Sequence, residues 1–256
     1  MNVISGKDMA AALKQQLAAD VVKYAEEYGR KPNLVVILVG DDPGSVSYVT
    51  GKAKAADEVG IDNSTIRLSE QTTEEELLDL VRALNVDVTV DGILVQLPLP
   101  NGINEEKVIE TIAKEKDVDG FHPMNVAALW QKRPCVLPCT PKGIIRLMKN
   151  MGIEIAGKRA VVIGRSNIVG LPVTKLLMDE NATVTVCHTK TENMQEECRN
   201  ADIIIAAAGK ANVVGEEHFS EGQVLIDVGI NFVDGKMCGD MDYQAAIKYA
   251  SAVTPV

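Results

Sequence analysis

Five short stretches of this chain each carry a continuous apolar run: NLVVILVG (33–40), DGILVQLPLP (91–100, ending in a proline-broken loop), KRAVVIG (158–164), ADIIIAAAG (201–209) and GQVLIDVGI (222–230). A strand half exposed to water alternates polar and apolar residues. A strand without alternation must be covered on both faces, as in a parallel sheet flanked by helices. IDNSTIRL (61–68) and ATVTVCH (182–188) read as further strands.

The segments between these runs carry helical spacing. Residues 6–28 place Leu13, Leu17, Val21 and Tyr24 three or four apart and stop at Gly29, and residues 45–59 stop at Gly60. TTEEELLDLVRALN (72–85) has Thr72 or Thr73 as its cap and acids in its first turn. Further helices are predicted near 104–113, over 140–152 with Pro141 in the first turn and Gly152 closing it, and over NIVGLPVTKLLMDE (167–180). Strand–helix repetition of this kind predicts an α/β fold with a parallel sheet. The proline-punctuated stretch 116–141 reads as irregular, a passage between two domains, 1–138 and 139–256. There is no internal repeat of fixed period.

The formal charge is −10, from 26 basic and 36 acidic residues. That argues against a broad nucleic-acid or anionic-membrane surface and leaves phosphate binding to a local pocket. No apolar run approaches the roughly 18 residues of a membrane span, and MNVISGKDMAAALKQQLAAD lacks the features of a signal peptide. Five scattered cysteines fit neither a disulfide framework nor a zinc site, and the three histidines are far apart. The expectation is a protein of the reducing cytoplasm with no metal.

Two stretches could carry chemistry. In GSVSYVTGK (44–52), Tyr48 and Lys52 stand four apart and share one face of a helix. By spacing alone they are either a solvated face or a proton-handling pair. VVIGRSNIVGLP (161–172) follows a strand and opens a helix, as a dinucleotide fingerprint must, but Ser166 replaces the middle glycine and Gly170 comes one place late. The next strand ends Cys187-His188-Thr189-Lys190, without the carboxylate that would bond the ribose of NAD, while Arg165 follows Gly164. Arg, Thr and Lys donors suit a 2′-phosphate and favour NADP; the plain alternative is a tight turn with exposed charges. Neither a phosphate-binding G-x-x-x-x-G-K-[ST] loop nor H-E-x-x-H nor G-x-S-x-G occurs.

Taken together, SYVTGKAKAADEVGI (47–61), DGILVQLPLP (91–100), KDVDGFHPMNV (116–126), PCTP (138–141), VVIGRSNIVGLP (161–172), CHTKT (187–191) and DVGIN (227–231) resemble the bifunctional methylenetetrahydrofolate dehydrogenase/methenyltetrahydrofolate cyclohydrolase (FolD) family, in family order from end to end. The resemblance implies an N-terminal catalytic, folate-binding domain, a Rossmann-type NADP-binding domain and a cleft between them. It implies a homodimer that oxidises 5,10-methylenetetrahydrofolate with NADP⁺ and hydrolyses the methenyl product to 10-formyltetrahydrofolate. Lys52 would be the essential catalytic residue, oriented by Tyr48 and bonded to Gln96. A partly desolvated lysine, whose burial disfavours its charge, would move the protons of the hydrolytic step. Asp119 would clasp the pterin amino group and ring N–H, with Leu97 and Pro98 lining the substrate site. Gly164, Arg165, Ser166, Thr189 and Ile230 match the NADP contacts. The sequence stops at Thr254-Pro255-Val256, where the family continues with Pro-Gly-Gly-Val-Gly-Pro-Met-Thr and a helix returning to the first domain.

Three rivals share some of these features: a monofunctional relative, a short-chain dehydrogenase and a non-catalytic NADP sensor. The short-chain class has Y-x-x-x-K after its glycine-rich turn, whereas here Tyr48 and Lys52 precede Gly164. A sensor has little reason to keep Lys52, Gln96 and Asp119 together.

Overall fold

The computed structural model describes residues 2, 3 and 5–255. In chain order the elements are β1 (Asn2–Val3), α1 (Lys7–Tyr28), β2 (Asn33–Val39), α2 (Pro43–Val59), β3 (Asp62–Leu68), α3 (Glu74–Val86), β4 (Gly92–Val95), α4 (Glu105–Thr111) and α5 (Pro123–Trp130). There follow α6 (Cys139–Asn150), β5 (Arg159–Ile163), α7 (Gly170–Asp179), β6 (Thr183–Cys187), α8 (Met194–Arg199), β7 (Ile203–Ala206), β8 (Val224–Asp227), β9 (Asn231–Val233), β10 (Lys236–Cys238), α9 (Tyr243–Tyr249) and β11 (Ala252–Val253). The chain forms two compact units, residues 10–136 and residues 1–9 with 137–256. A single cut at 138/139 therefore misses that β1 pairs with β11 in the second unit's sheet, through Asn2–Ala252 and Val3–Val253.

The first unit is built on a three-stranded parallel sheet in the order β3-β2-β4. Along β2 successive side chains point to opposite faces. Val35, Ile37 and Val39 pack with Leu77, Leu78 and Val81 of α3 and Val108 of α4. Val36 and Leu38 pack with Val49 of α2 and Leu94. Both faces are covered, which is why the strand sequence has no polar alternation. Thr73 caps α3 in a reciprocal pair with Glu76, so Thr73 rather than Thr72 is the N-cap. α5 lies within the stretch read as irregular: Pro123 there starts a helix, with the His122 side chain accepting from the Met124 N–H.

Asp91, just before β4, ties the end of α1 to the sheet. It takes a two-pronged ion pair from Arg30 (2.6 and 2.7 Å), a Tyr24 hydroxyl at 3.0 Å and the Asn33 N–H at 2.8 Å. Arg30 above all holds the Asp91 carboxyl down at about 2. A depressed folded-state pKa gives stability that is complete above the ordinary carboxylate value and lost as pH falls through about 2. Asp91→Asn is expected to cost about 1–2 kcal/mol at pH 7, measured by urea unfolding, and to flatten the acid limb of the stability curve. An unchanged acid limb would remove Asp91 from that role.

The second unit has six parallel strands in the order β1-β11-β8-β7-β5-β6. From β5 the chain steps outward to β6, then returns to place β7 on the other side of β5. Loops leaving β5 and β7 therefore diverge at the sheet's carboxyl edge, the usual position of a ligand crevice in a doubly wound sheet. The helix predicted from Asn167 begins instead at Gly170, because Ser166 Oγ takes the N–H groups of Val169 and Gly170 (3.1 and 3.3 Å) and holds 164–169 as a turn.

Candidate functional site

In the first unit, Tyr48 and Lys52 lie on α2. Asp42 opens this helix by accepting from Ser45 N, and Gly60 closes it in the left-handed conformation (φ 84°). Ser45, Val49, Ala56 and Val59 form the buried stripe. Tyr48 and Lys52 stand beside it and, with Ser47, Gly51 and Ala55, line a hollow of about 340 Å³. Gly51 and Ala55 add almost no bulk, so the phenol and the amine border the same space.

Gln96 follows β4, its backbone N–H bonded to Ile37 O of the central strand at 2.9 Å. Its Nε2 donates to Leu97 O at 2.6 Å, which turns Oε1 toward Lys52 Nζ, 3.0 Å away. An uncharged amide thus receives the lysine without ionising. The Leu97–Pro98 peptide is cis and carries the chain away from the sheet edge.

Asp119 is half-buried. Burial pushes its carboxyl above the ordinary value, the Lys52 ammonium pulls it down, and the Asp117 carboxylate adds to the upward push. Lys52 and Asp119 therefore share one electrostatic neighbourhood. Asp117, which sequence reasoning passed over, shapes this loop: buried to 3% exposure, it accepts from Gly120 N (3.0 Å), His122 N (2.9 Å) and Asn125 Nδ2 (2.8 Å). The only available signal was a second acid two residues ahead of Asp119.

In the second unit the predicted residues follow three strands at the sheet's carboxyl edge: Gly164, Arg165 and Ser166 after β5, Thr189 after β6, Ile230 after β8. Gly164 has φ 111°, and a Cβ there would stand 2.1 Å from Ala207 O. A Cβ on Gly170 would stand 2.3 Å from Gly164 O. Both positions admit only glycine, so the turn folds tightly on itself and leaves backbone and exposed Arg165 and Ser166 facing outward. The loop after β6 is closed by His188 N to Thr191 Oγ1 (2.8 Å) and Lys190 N to His188 Nδ1 (3.1 Å), with Thr189 exposed and no acid among 187–191. Ile230 is 52% exposed. A glycine cradle, an outward arginine and the lack of a carboxylate suit a dinucleotide with a 2′-phosphate. No group of three or more His, Cys, Asp or Glu residues that could hold a metal occurs among the described residues.

Two family descriptions match the chain. "Tetrahydrofolate dehydrogenase/cyclohydrolase, catalytic domain" covers residues 4–119, and "Tetrahydrofolate dehydrogenase/cyclohydrolase, NAD(P)-binding domain" covers 138–256. The bifunctional protein FolD of Geobacillus thermodenitrificans is 53% identical over 255 residues, 99% of this chain and 89% of the relative. The crystal structure of the bifunctional enzyme FolD, a methylenetetrahydrofolate dehydrogenase/cyclohydrolase from Campylobacter jejuni, matches with a TM-score of 0.96 at 44% identity, over 100% of this chain and 91% of that one. The methylenetetrahydrofolate dehydrogenase-cyclohydrolase (FolD) of Trypanosoma brucei, solved with NADP cofactor and inhibitor, matches with a TM-score of 0.93 at 38% identity, over 99% and 90%.

Proposed function

The chain belongs to the tetrahydrofolate dehydrogenase/cyclohydrolase family, and on that premise we propose how its own residues divide the work. The protein oxidises 5,10-methylenetetrahydrofolate to 5,10-methenyltetrahydrofolate with NADP⁺ and hydrolyses the product to 10-formyltetrahydrofolate. Bound NADP⁺ supplies the nicotinamide that accepts the hydride.

The unit of residues 10–136 would hold the folate, and the unit of residues 1–9 with 137–256 the dinucleotide. Asp119 accepts the pterin 2-amino group and the adjacent ring N–H, a pair of donors that a carboxylate matches in parallel. Tyr48 stacks on the folate rings, and Leu97 and Pro98 line the substrate beside them. Lys52 handles the protons as water adds to the methenyl carbon and the ring opens, while Gln96 keeps its amine aimed without fixing it as one half of an ion pair. Gly164, Arg165 and Ser166 would hold the phosphates, with Arg165 toward the 2′-phosphate; Thr189 would add a hydroxyl on the phosphate side, and the Ile230 backbone would contact the nicotinamide.

The observation that carries this reading is the Lys52–Gln96 contact of 3.0 Å beside the electrostatically linked Asp119. The test is a spectrophotometric assay with methylenetetrahydrofolate and each nicotinamide cofactor. Arg165→Ala should raise KM for NADP⁺ by at least about tenfold, the worth of one charge-assisted contact, and leave NAD⁺ nearly unmoved. Equal losses for both cofactors would take Arg165 off the 2′-phosphate. Among the described residues no helix is long and apolar enough to cross a membrane, and the reading extends to a cytoplasmic homodimer.

A further inference from the structure

Asp240 takes no part in the scheme above, yet it is 0% exposed and accepts from four groups on two separate segments, 208–210 and the start of β9. Its Oδ2 receives Ala208 N (2.6 Å) and Gly209 N (2.9 Å); its Oδ1 receives Lys210 N (2.9 Å) and Asn231 Nδ2 (2.9 Å). Its own N–H donates to Asp227 Oδ1 at 3.0 Å, at the end of β8. The segment leaving β8 presses against it so closely that a Cβ on Gly229 would stand 2.1 Å from Oδ1. Three consecutive backbone N–H groups converging on a carboxylate form a concave anion seat, and here the chain fills that seat from within.

The position of that seat gives it consequence. Ala208–Lys210 directly follow Ala207, the residue whose carbonyl oxygen forbids any side chain on Gly164. Asn231 directly follows Ile230. One buried carboxylate thus sets the loop that backs the glycine turn and the loop that carries Ile230. We propose that Asp240 is a positioning residue for the dinucleotide edge, shaping both loops before NADP⁺ arrives; this rests on the functional reading above.

Asparagine in its place has nearly the same shape but one acceptor oxygen, so its NH₂ group would face N–H donors. The loops must then shift or leave donors unmet. The experiment is calorimetric titration of NADP⁺ into the full chain, unmodified and Asp240→Asn, with circular dichroism to show folding at the titration temperature. A folded Asp240→Asn should bind NADP⁺ about tenfold more weakly, the loss of one charged hydrogen bond. A purely structural role would lower the melting temperature and keep the Kd within twofold, which would overturn the assignment. Should Asp240→Asn not fold, Asn231→Ala decides: a severalfold rise in Kd supports the proposal, and an unchanged Kd ends it. If the unmodified chain does not bind NADP⁺, the functional reading itself fails, a result distinct from normal binding in both variants.

Discussion

Lys52→Met abolishes methenyl hydrolysis, with a loss of at least about a hundredfold expected from removal of a general acid–base group, and leaves NADP⁺ affinity unchanged. Methionine is unbranched, one atom shorter than lysine and close to its volume, so Val49 and Ala56 of the buried stripe on α2 have no reason to move. What disappears is the nitrogen that donates to Gln96 Oε1 at 3.0 Å and the positive charge that lowers the Asp119 carboxyl. With that charge gone, the remaining influences of burial and Asp117 both push Asp119 upward. Folate binding by the variant should therefore weaken at a higher pH than in the unmodified protein, as acid protonates Asp119. The measurements are absorbance decay of methenyltetrahydrofolate and calorimetric titration of NADP⁺. Full retention of hydrolysis would remove Lys52 from the mechanism.

The second large effect is expected at Gly164. Alanine there must adopt φ 111° and place its Cβ 2.1 Å from Ala207 O. The obstacle is backbone at the end of β7, where Ala207 N also bonds Ile163 O at 2.8 Å, so no flexible side chain can give way. Strain from the dihedral alone is of order 1–3 kcal/mol, and the steric overlap adds to it. Gly164→Ala should lose NADP⁺ binding by at least about a hundredfold, an amount of the order of that strain converted to affinity, and should melt at lower temperature. Near-normal titration of NADP⁺ by a folded variant would show that the turn can open without harm.

Sequence was most legible where physics acts locally. Unbroken apolar runs announced strands covered on both faces, and Thr72 and Thr73 ahead of a run of acids announced a cap, which falls at Thr73. The four-residue spacing of Tyr48 and Lys52 announced a shared helix face, and both line one hollow. Reading by punctuation failed at 116–141, because Pro123 starts α5 instead of breaking a helix. The β9–β10 hairpin had a usable signal, Asp234-Gly235, both with positive φ (51° and 73°) in a two-residue turn. Two-residue β1 and β11 had none, since their pairing joins distant parts of the chain. Asp117, marked only by its place two residues ahead of Asp119, and Asp240 were hard to read for a related reason: their partners are mostly backbone N–H groups, which leave no mark in residue identity.

The pairing of Asn2 with Ala252 bears on how the protein comes into being. A nascent chain emerges from the ribosome amino end first, so β1 is made long before β11, the neighbour it pairs with. Residues 10–136 can mature in the meantime, since their sheet needs nothing from later segments. The β1 border of the larger sheet then waits on ring closure from Asn2 to Ala252, an entropic cost that grows slowly with length. A ribosome stalled late in translation would hold a finished amino-terminal body attached to a half-sealed one.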